Sequence, residues 1–361
     1  VSSDVFKMLV FAVAVAVVVA MYRSSTGDPV PRRATKSERA ARALGLLPAS
    51  RQNKRLPAPD PELERALVAA SARDDWEPAA RLMAATRERQ DWPRRFAHTH
   101  ALGEAAARRV GGWLDAWEAA RPQDPDAALV RASSTVSRAW LLRGTRRAAD
   151  TSGRRLAGFF DVLPRSRDQI ARAAELAPED PTPYVVELRT ARGLNYPHKK
   201  MHRVWQEITD RAPHHPGGHH SALQYWCAKW HGSEELATRF AQVAAASAPL
   251  GTLLRTLPLL AWWEHHGDKA KARDHRTPEL VALVDAALAD VAAAPPDHPD
   301  LPGARHCLAY FLTRQGRFEA ALEQFRLVDG YVAAFPWTYY GDPAAVYCHW
   351  RDKAVRGARG R

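Results

Sequence analysis

Four short corners of one pattern constrain this chain more than any other feature. Pro122-Gln123-Asp124-Pro125, Pro178-Glu179-Asp180-Pro181, Pro213-His214-His215-Pro216 and Pro296-Asp297-His298-Pro299 all read P-x-[DH]-P. The first proline stops an incoming helix, because it pushes the residue before it out of the helical region. The Asp or His then offers an acceptor to the unpaired N–H groups of the next helix, and the second proline suits a first turn that needs no N–H. Each corner is thus a helix end and a helix start within four residues. Pro178 and Pro213 lie 35 positions apart, and Pro213 and Pro249 lie 36 apart, close to the period of about 34 residues found in two-helix repeats. This punctuation predicts an array of helix pairs that grows by stacking, which also suits a chain of 361 residues, long for one compact core.

From residue 62 onward the apolar residues recur at helical spacing. Leu63, Ala66, Leu67 and Ala70 make one such face, and Ala79, Ala80, Leu82 and Met83 make another after Asp74-Asp75. A helix is predicted to open at Asp91-Trp92-Pro93, and another to run from Asp124-Pro125-Asp126 to Gly144, with Trp113, Leu114 and Trp117 between them. Near the C-terminus, Leu308-Ala309-x-x-Leu312 is followed by Gly316-Arg317-Phe318-Glu319-x-Ala321 and Phe325. This spacing of small, turn and aromatic residues resembles the tetratricopeptide repeat, as does Ala171–Leu194. The resemblance covers the last unit and 171–232; the N-terminal third diverges. The stretches PTPYVVELRTARGL and SALQYWCAKWHGS are also similar to an uncharacterised family of actinobacterial membrane-anchored proteins. The resemblance implies an all-α, tetratricopeptide-like right-handed solenoid of helix pairs over 62–335, with 336–361 as a capping helix and basic tail, disordered over Arg356–Arg361.

Before the array, Met8–Tyr22 is an uninterrupted apolar run. It is read as one N-terminal transmembrane helix (1–22), with Lys7 snorkelling to the interface; a cleavable signal peptide ending near Val18-x-Ala20 is the alternative. Arg23, Arg32, Arg33, Lys36, Arg39 and Arg42 follow the run, against Lys7 alone before it. The positive-inside rule therefore places the C-terminal domain in the cytoplasm of a single-pass protein of the cell membrane. Residues 23–61 read as a basic, Pro-rich linker with a short helix over Lys36–Leu47, and Arg23–Arg42 as a stretch able to lie on anionic lipid. Cys227, Cys307 and Cys348 are far apart and form no CxxC pair, which fits reduced thiols rather than a disulfide framework. The formal net charge of +12 raises nucleic acid as a partner, but the arginines are interleaved with Asp and Glu and form no basic block. No nucleic-acid surface is expected.

The densest chemistry lies in PHHPGGHHSALQYWCAKWHGS, 213–233. His214, His215, His219 and His220 are the candidate metal ligands, clustered around Pro216-Gly217-Gly218. They lack HExxH spacing and a neighbouring carboxylate, and a capped helix corner accounts for them without a metal. Leu223, Trp226, Cys227 and Trp230 fall at i, i+3, i+4 and i+7, which predicts one apolar face. Cys227 with His220 is a nominal thiol–imidazole pair, but a cysteine among Leu and Trp reads as core. His198 and His202 form an i,i+4 pair without a third ligand. Leu308, Phe318, Ala321 and Phe325 are expected in the core of the last unit. No phosphate loop, dinucleotide fingerprint or nucleophile elbow occurs, and no cofactor is expected. These features together predict a membrane-tethered scaffold without catalytic activity. Its concave face would hold a protein or peptide ligand through Trp, Tyr and Arg. A metal or thiol enzyme built on His214–His220 and Cys227 is one alternative, and a binder of anionic lipid or nucleic acid is another.

Overall fold

The computed structural model describes residues 35–109, 111–144, 152–267 and 269–359. The apolar run Met8–Tyr22 and the basic stretch up to residue 34 lie outside the described residues. Among those described, no helix is long and apolar enough to cross a membrane, and helices with short 3₁₀ turns carry the whole fold, with one isolated bridge and no strand.

The helices are α1 (Lys36–Arg42), α2 (Pro61–Arg73), α3 (Glu77–Glu88), α4 (Trp92–Ala107), α5 (Trp113–Ala120) and α6 (Pro125–Arg143). They continue as α7 (Gly153–Val162), α8 (Ser166–Leu176), α9 (Thr182–Gly193), α10 (His198–Arg211), α11 (Pro216–Trp226) and α12 (Glu234–Ser247). The last are α13 (Leu257–His266), α14 (Pro278–Ala293), α15 (Leu301–Gln315), α16 (Phe318–Val328) and α17 (Pro343–Arg359).

The corners at Asp124 and His215 act as their composition predicts, with Pro125 and Pro216 as first helical residues; at Asp180 the helix starts one residue later, and at His298 it starts only at Leu301, so Pro299 precedes it. Asp124 Oδ1 accepts from the N–H of Asp126 at 2.9 Å, and Asp180 Oδ1 from Thr182 at 2.8 Å. His215 Nδ1 accepts from Gly218 at 3.2 Å and His298 Nδ1 from Asp300 at 3.1 Å. The first three satisfy an N–H that a helix start leaves unpaired, and the fourth ties the turn just before α15. The expected starts at Asp91 and Asp124 and the stop at Gly144 are all found. Asp74, read as part of a helix start, instead ends α2 in the left-handed conformation.

Successive helices pack in pairs, and helices two or three apart in the chain also touch: α4 on α6, α6 on α9, α9 on α11 and α11 on α13. These five make an inner layer. Helix α4 further reaches α9 and α11, so the layer curls tightly. One apolar core, from Leu56 to Val186, fills the N-terminal half, and another, from Val185 to Ala354, fills the C-terminal half; half-buried Leu194 packs on both. The expected core residues Leu223, Cys227, Leu308, Ala321 and Phe325 are fully or almost fully buried, Trp226 nearly so, and Phe318 half-buried against α17.

Residues 35–61 are built into the fold, which corrects their reading as a linker. Thr35 and Glu38 form a reciprocal cap on α1, which ends at Arg42 rather than Leu47 because the chain turns through Gly45. Helix α1 packs on α17, and Ala41 and Leu46 form a small core with Leu322 and Val355. The following strap runs along the C-terminal loop: Asn53 N–H donates to Gly330 O at 2.7 Å, and Val332 N–H to Asn53 O at 2.8 Å. Asp329 binds the N–H of Leu47 and the amide of Gln52, while Arg351 binds Asp329 and the carbonyl of Leu47. The two ends of the array are thereby tied together. Helix α17 runs to Arg359, so the basic tail is helical up to there, because α1 and α16 give it a surface to pack on.

Candidate functional site

The four candidate histidines do not converge. His215 caps α11 and meets Phe96 edge-on. His219, one turn on, donates through Nδ1–H to the His215 carbonyl at 3.0 Å and packs between Trp205 and Phe240. Burial holds both imidazoles near a pKa of about 4. His214 is half-buried at the corner, and His220 is exposed, within electrostatic reach of Glu264, Arg192 and Lys229. Among the described residues no three His, Cys, Asp or Glu side chains come together to ligate a metal.

The thiol is equally inert. Cys227 is fully buried, donates to the Leu223 carbonyl, and burial together with the nearby Glu264 charge pushes its pKa up to about 12. It stays protonated at neutral pH. Helix α11 ends at Trp226 and Cys227 is extended, so Trp230 leaves the Leu223/Cys227 face. It lies half-buried against Trp140 of α6, ring centroids 5.6 Å apart and nearly perpendicular. The helical spacing that joined Trp230 to Leu223 fails because the helix stops one residue before Cys227.

Around that tryptophan pair the inner layer gathers its charge. The Arg192 guanidinium of α9 sits 4.9 Å from the Trp140 ring and 5.0 Å from the Trp230 ring. Arg143, at the end of α6, lies 5.4 and 5.5 Å from the same two rings. One turn before Arg192, Arg189 donates through Nη1 to His100 Nδ1 of α4 at 3.0 Å and to Ser137 Oγ of α6 at 3.4 Å. Among the described residues, no carboxylate lies within ion-pair distance of Arg189 or Arg192, and the Arg192 Nε is buried without a hydrogen-bond partner.

His100, Arg189, Arg192 and His220 all keep some solvent-accessible surface. Yet burial is the largest cause of the lowered pKa at each. The helices that carry them, α4, α9 and α11, touch one another, and the space these side chains share is called the hollow below. Burial and the neighbouring Arg189 bring Arg192 down to about 10, still protonated at neutral pH. His220 is held neutral by burial and by Arg192 and Lys229, with Glu264 opposing.

The far wall of the hollow is self-neutralised. Glu264 of α13 accepts from Gln224 Nε2 and Lys229 Nζ, both at 2.6 Å, and from the Tyr339 hydroxyl. Burial alone would raise its pKa, but these partners outweigh it and keep it ionised. Tyr339 belongs to the loop after α16 and packs on Trp263 and Phe335, so the chain's own C-terminal loop fills this end. What remains is a patch of arginine and tryptophan from α6, α9 and the α11–α12 turn. An open cleft of about 620 Å³ between α8, α9 and α10, walled by Arg167, Tyr184 and Lys200 among others, includes none of these residues.

Reading the sequence missed Arg189 and Arg192, although it held a signal. Neither has an acidic residue three or four positions away, so no helical ion pair neutralises either one within α9. Comparisons with protein-family models, with curated proteins and with solved structures return no match, so the chain is an all-helical protein for which they identify no family.

Proposed function

We propose that this chain is a helical-repeat scaffold whose inner hollow binds an acidic segment of a partner protein, without catalysis. The observation that carries the reading is the Arg189–Arg192 pair: two guanidiniums on one face of α9, with no acidic partner among the described residues, one of them stacked on two tryptophans. Arginine in this setting is a hot-spot residue, since it offers planar donors to carboxylates and its charge is only partly screened. The packing of helices beyond their chain neighbours and the 35-residue interval between the corners at Pro178 and Pro213 support a tetratricopeptide-like, right-handed solenoid, in which the inner layer is the binding face. The apolar run Met8–Tyr22 and the basic residues after it support tethering to a membrane, with the array on the cytoplasmic side.

A pull-down from solubilised membranes with wild type and with Arg189→Glu/Arg192→Glu tests the reading. A partner retained by wild type and lost on charge reversal is expected. Equal capture by both, with the variant folded by circular dichroism, contradicts binding in the hollow.

A further inference from the structure

We infer that the face formed by α1 and the end of α17 is a second membrane attachment, a folded basic surface that docks on anionic lipid and fixes how the array stands on the bilayer. It rests on the proposed tether, the apolar run Met8–Tyr22, and goes beyond it by assigning a surface of the folded array. Only residues 23–34 separate that run from Thr35, which caps α1. Twelve residues span at most about 40 Å when fully extended, so an anchored run holds α1 within that distance of the headgroups. Helix α1 is fixed to the array there: Ala41 is buried with Leu46, Leu322 and Val355, and the helix packs on α17. Lys36 and Arg42 stay exposed. The end of α17 adds to the same face. Arg356 donates to the Ser37 hydroxyl and Arg359 to the Ala40 carbonyl at 3.3 Å, and both arginines are exposed. Two stretches more than three hundred positions apart thus meet in one surface.

This face matches anionic lipid in charge. Over every residue of the two stretches, 23–42 holds six Lys or Arg against Asp28 and Glu38, and 353–361 holds four with no acidic residue. Helix α16, packed on α17, contributes Glu319 and Glu323 against Arg326, and Asp329 and Asp352 share the buried Arg351; the balance stays positive. Burial and then Arg314, Arg356 and Arg276 lower the pKa of Lys353, so like charge continues along α17. Each Lys or Arg held near an anionic bilayer favours the docked state by roughly fivefold, a gain that salt screens.

Hydrogen exchange of the full chain in lipid nanodiscs tests the inference, comparing phosphatidylcholine alone with a mixture containing about one third phosphatidylserine. With the anionic lipid, 36–42 and 353–359 should exchange at least about fivefold more slowly, and α12 should be unchanged. Salt at about 0.5 M should erase the difference. Lys36→Gln/Arg42→Gln, which removes two exposed charges, should remove most of it. Equal exchange in the two lipids, slowing that survives the salt or the double substitution, or slowing confined to other surfaces overturns the inference and leaves the tether standing. A chain that enters neither disc removes the tether and the inference together.

Discussion

Arg95 has no contact with solvent, and both carboxylates it holds, Asp126 at 2.6 Å and Asp180 at 2.5 Å, are themselves buried. Asp180 also caps its own corner, and Asp126 opens α6, so one side chain of α4 locks the starts of two later helices. Arg95→Met would leave two buried carboxylates short of a partner and should cost about 3–5 kcal/mol, read from urea denaturation. The bonds at Asp124, Asp180 and His215 to the helix starts that follow them were legible because capping is local. Arg95 was not: its partners are 31 and 85 positions away, and nothing short-range marks it. The buried histidines make stability depend on pH. Burial holds His215, His219 and His306 near a pKa of about 4, whereas an unfolded imidazole titrates near 6.5. As pH falls from about 6.5 to about 4 the unfolded chain takes up protons that the folded chain refuses, so stability drops across that window. Asp300 acts with the opposite sign, since burial and Asp91 raise it to about 7. The urea midpoint should fall between pH 7 and pH 5. His215→Asn, which keeps a capping acceptor, should reduce that fall, and Asp300→Asn should deepen it.

Helices α4 and α6 approach so closely that a methyl group added at Gly103 would stand 2.4 Å from the Ser133 hydroxyl and 3.0 Å from its backbone carbon. Gly103→Ala should therefore force the pair apart and cost about 1–3 kcal/mol, measured as a lower thermal midpoint. The tight turn at Gly316, with φ of +80°, ends α15 in the left-handed region and was visible in the repeat-like spacing of the last unit. By contrast, the strap of residues 43–57 looked like a linker for a physical reason. Proline and small polar residues favour extended chain, and what fixes this stretch is not its own pattern but Asp329 and Arg351, some three hundred positions later. Arg351 is 2% exposed and binds the Leu47 carbonyl, Asp329 and Asp352. Replacing it by Met should release α1 and the strap before the rest of the array. Hydrogen exchange resolved along the chain should then show 36–57 losing protection while α9 and α11 keep theirs.

On the scale of the whole molecule, a curled inner layer tied end to end by the N-terminal strap leaves a hollow with two unlike walls. One wall, at Glu264, is neutralised by its own neighbours and covered by Tyr339; the other presents Arg143, Arg189 and Arg192 with Trp140 and Trp230. The helical class and its corner punctuation could be read from the chain. The hollow could not, since it brings residues from α4, α6, α9 and α11 to one place, and only packing decides which side of each helix faces inward. The central claim is that ligands enter on that inner side. Photo-crosslinking in cells tests it most directly, with benzoylphenylalanine placed at Trp230 in the hollow or at Val243, which is 61% exposed on α12. A partner captured from position 230 and not from 243 is the result this account predicts; capture from 243 alone would contradict it.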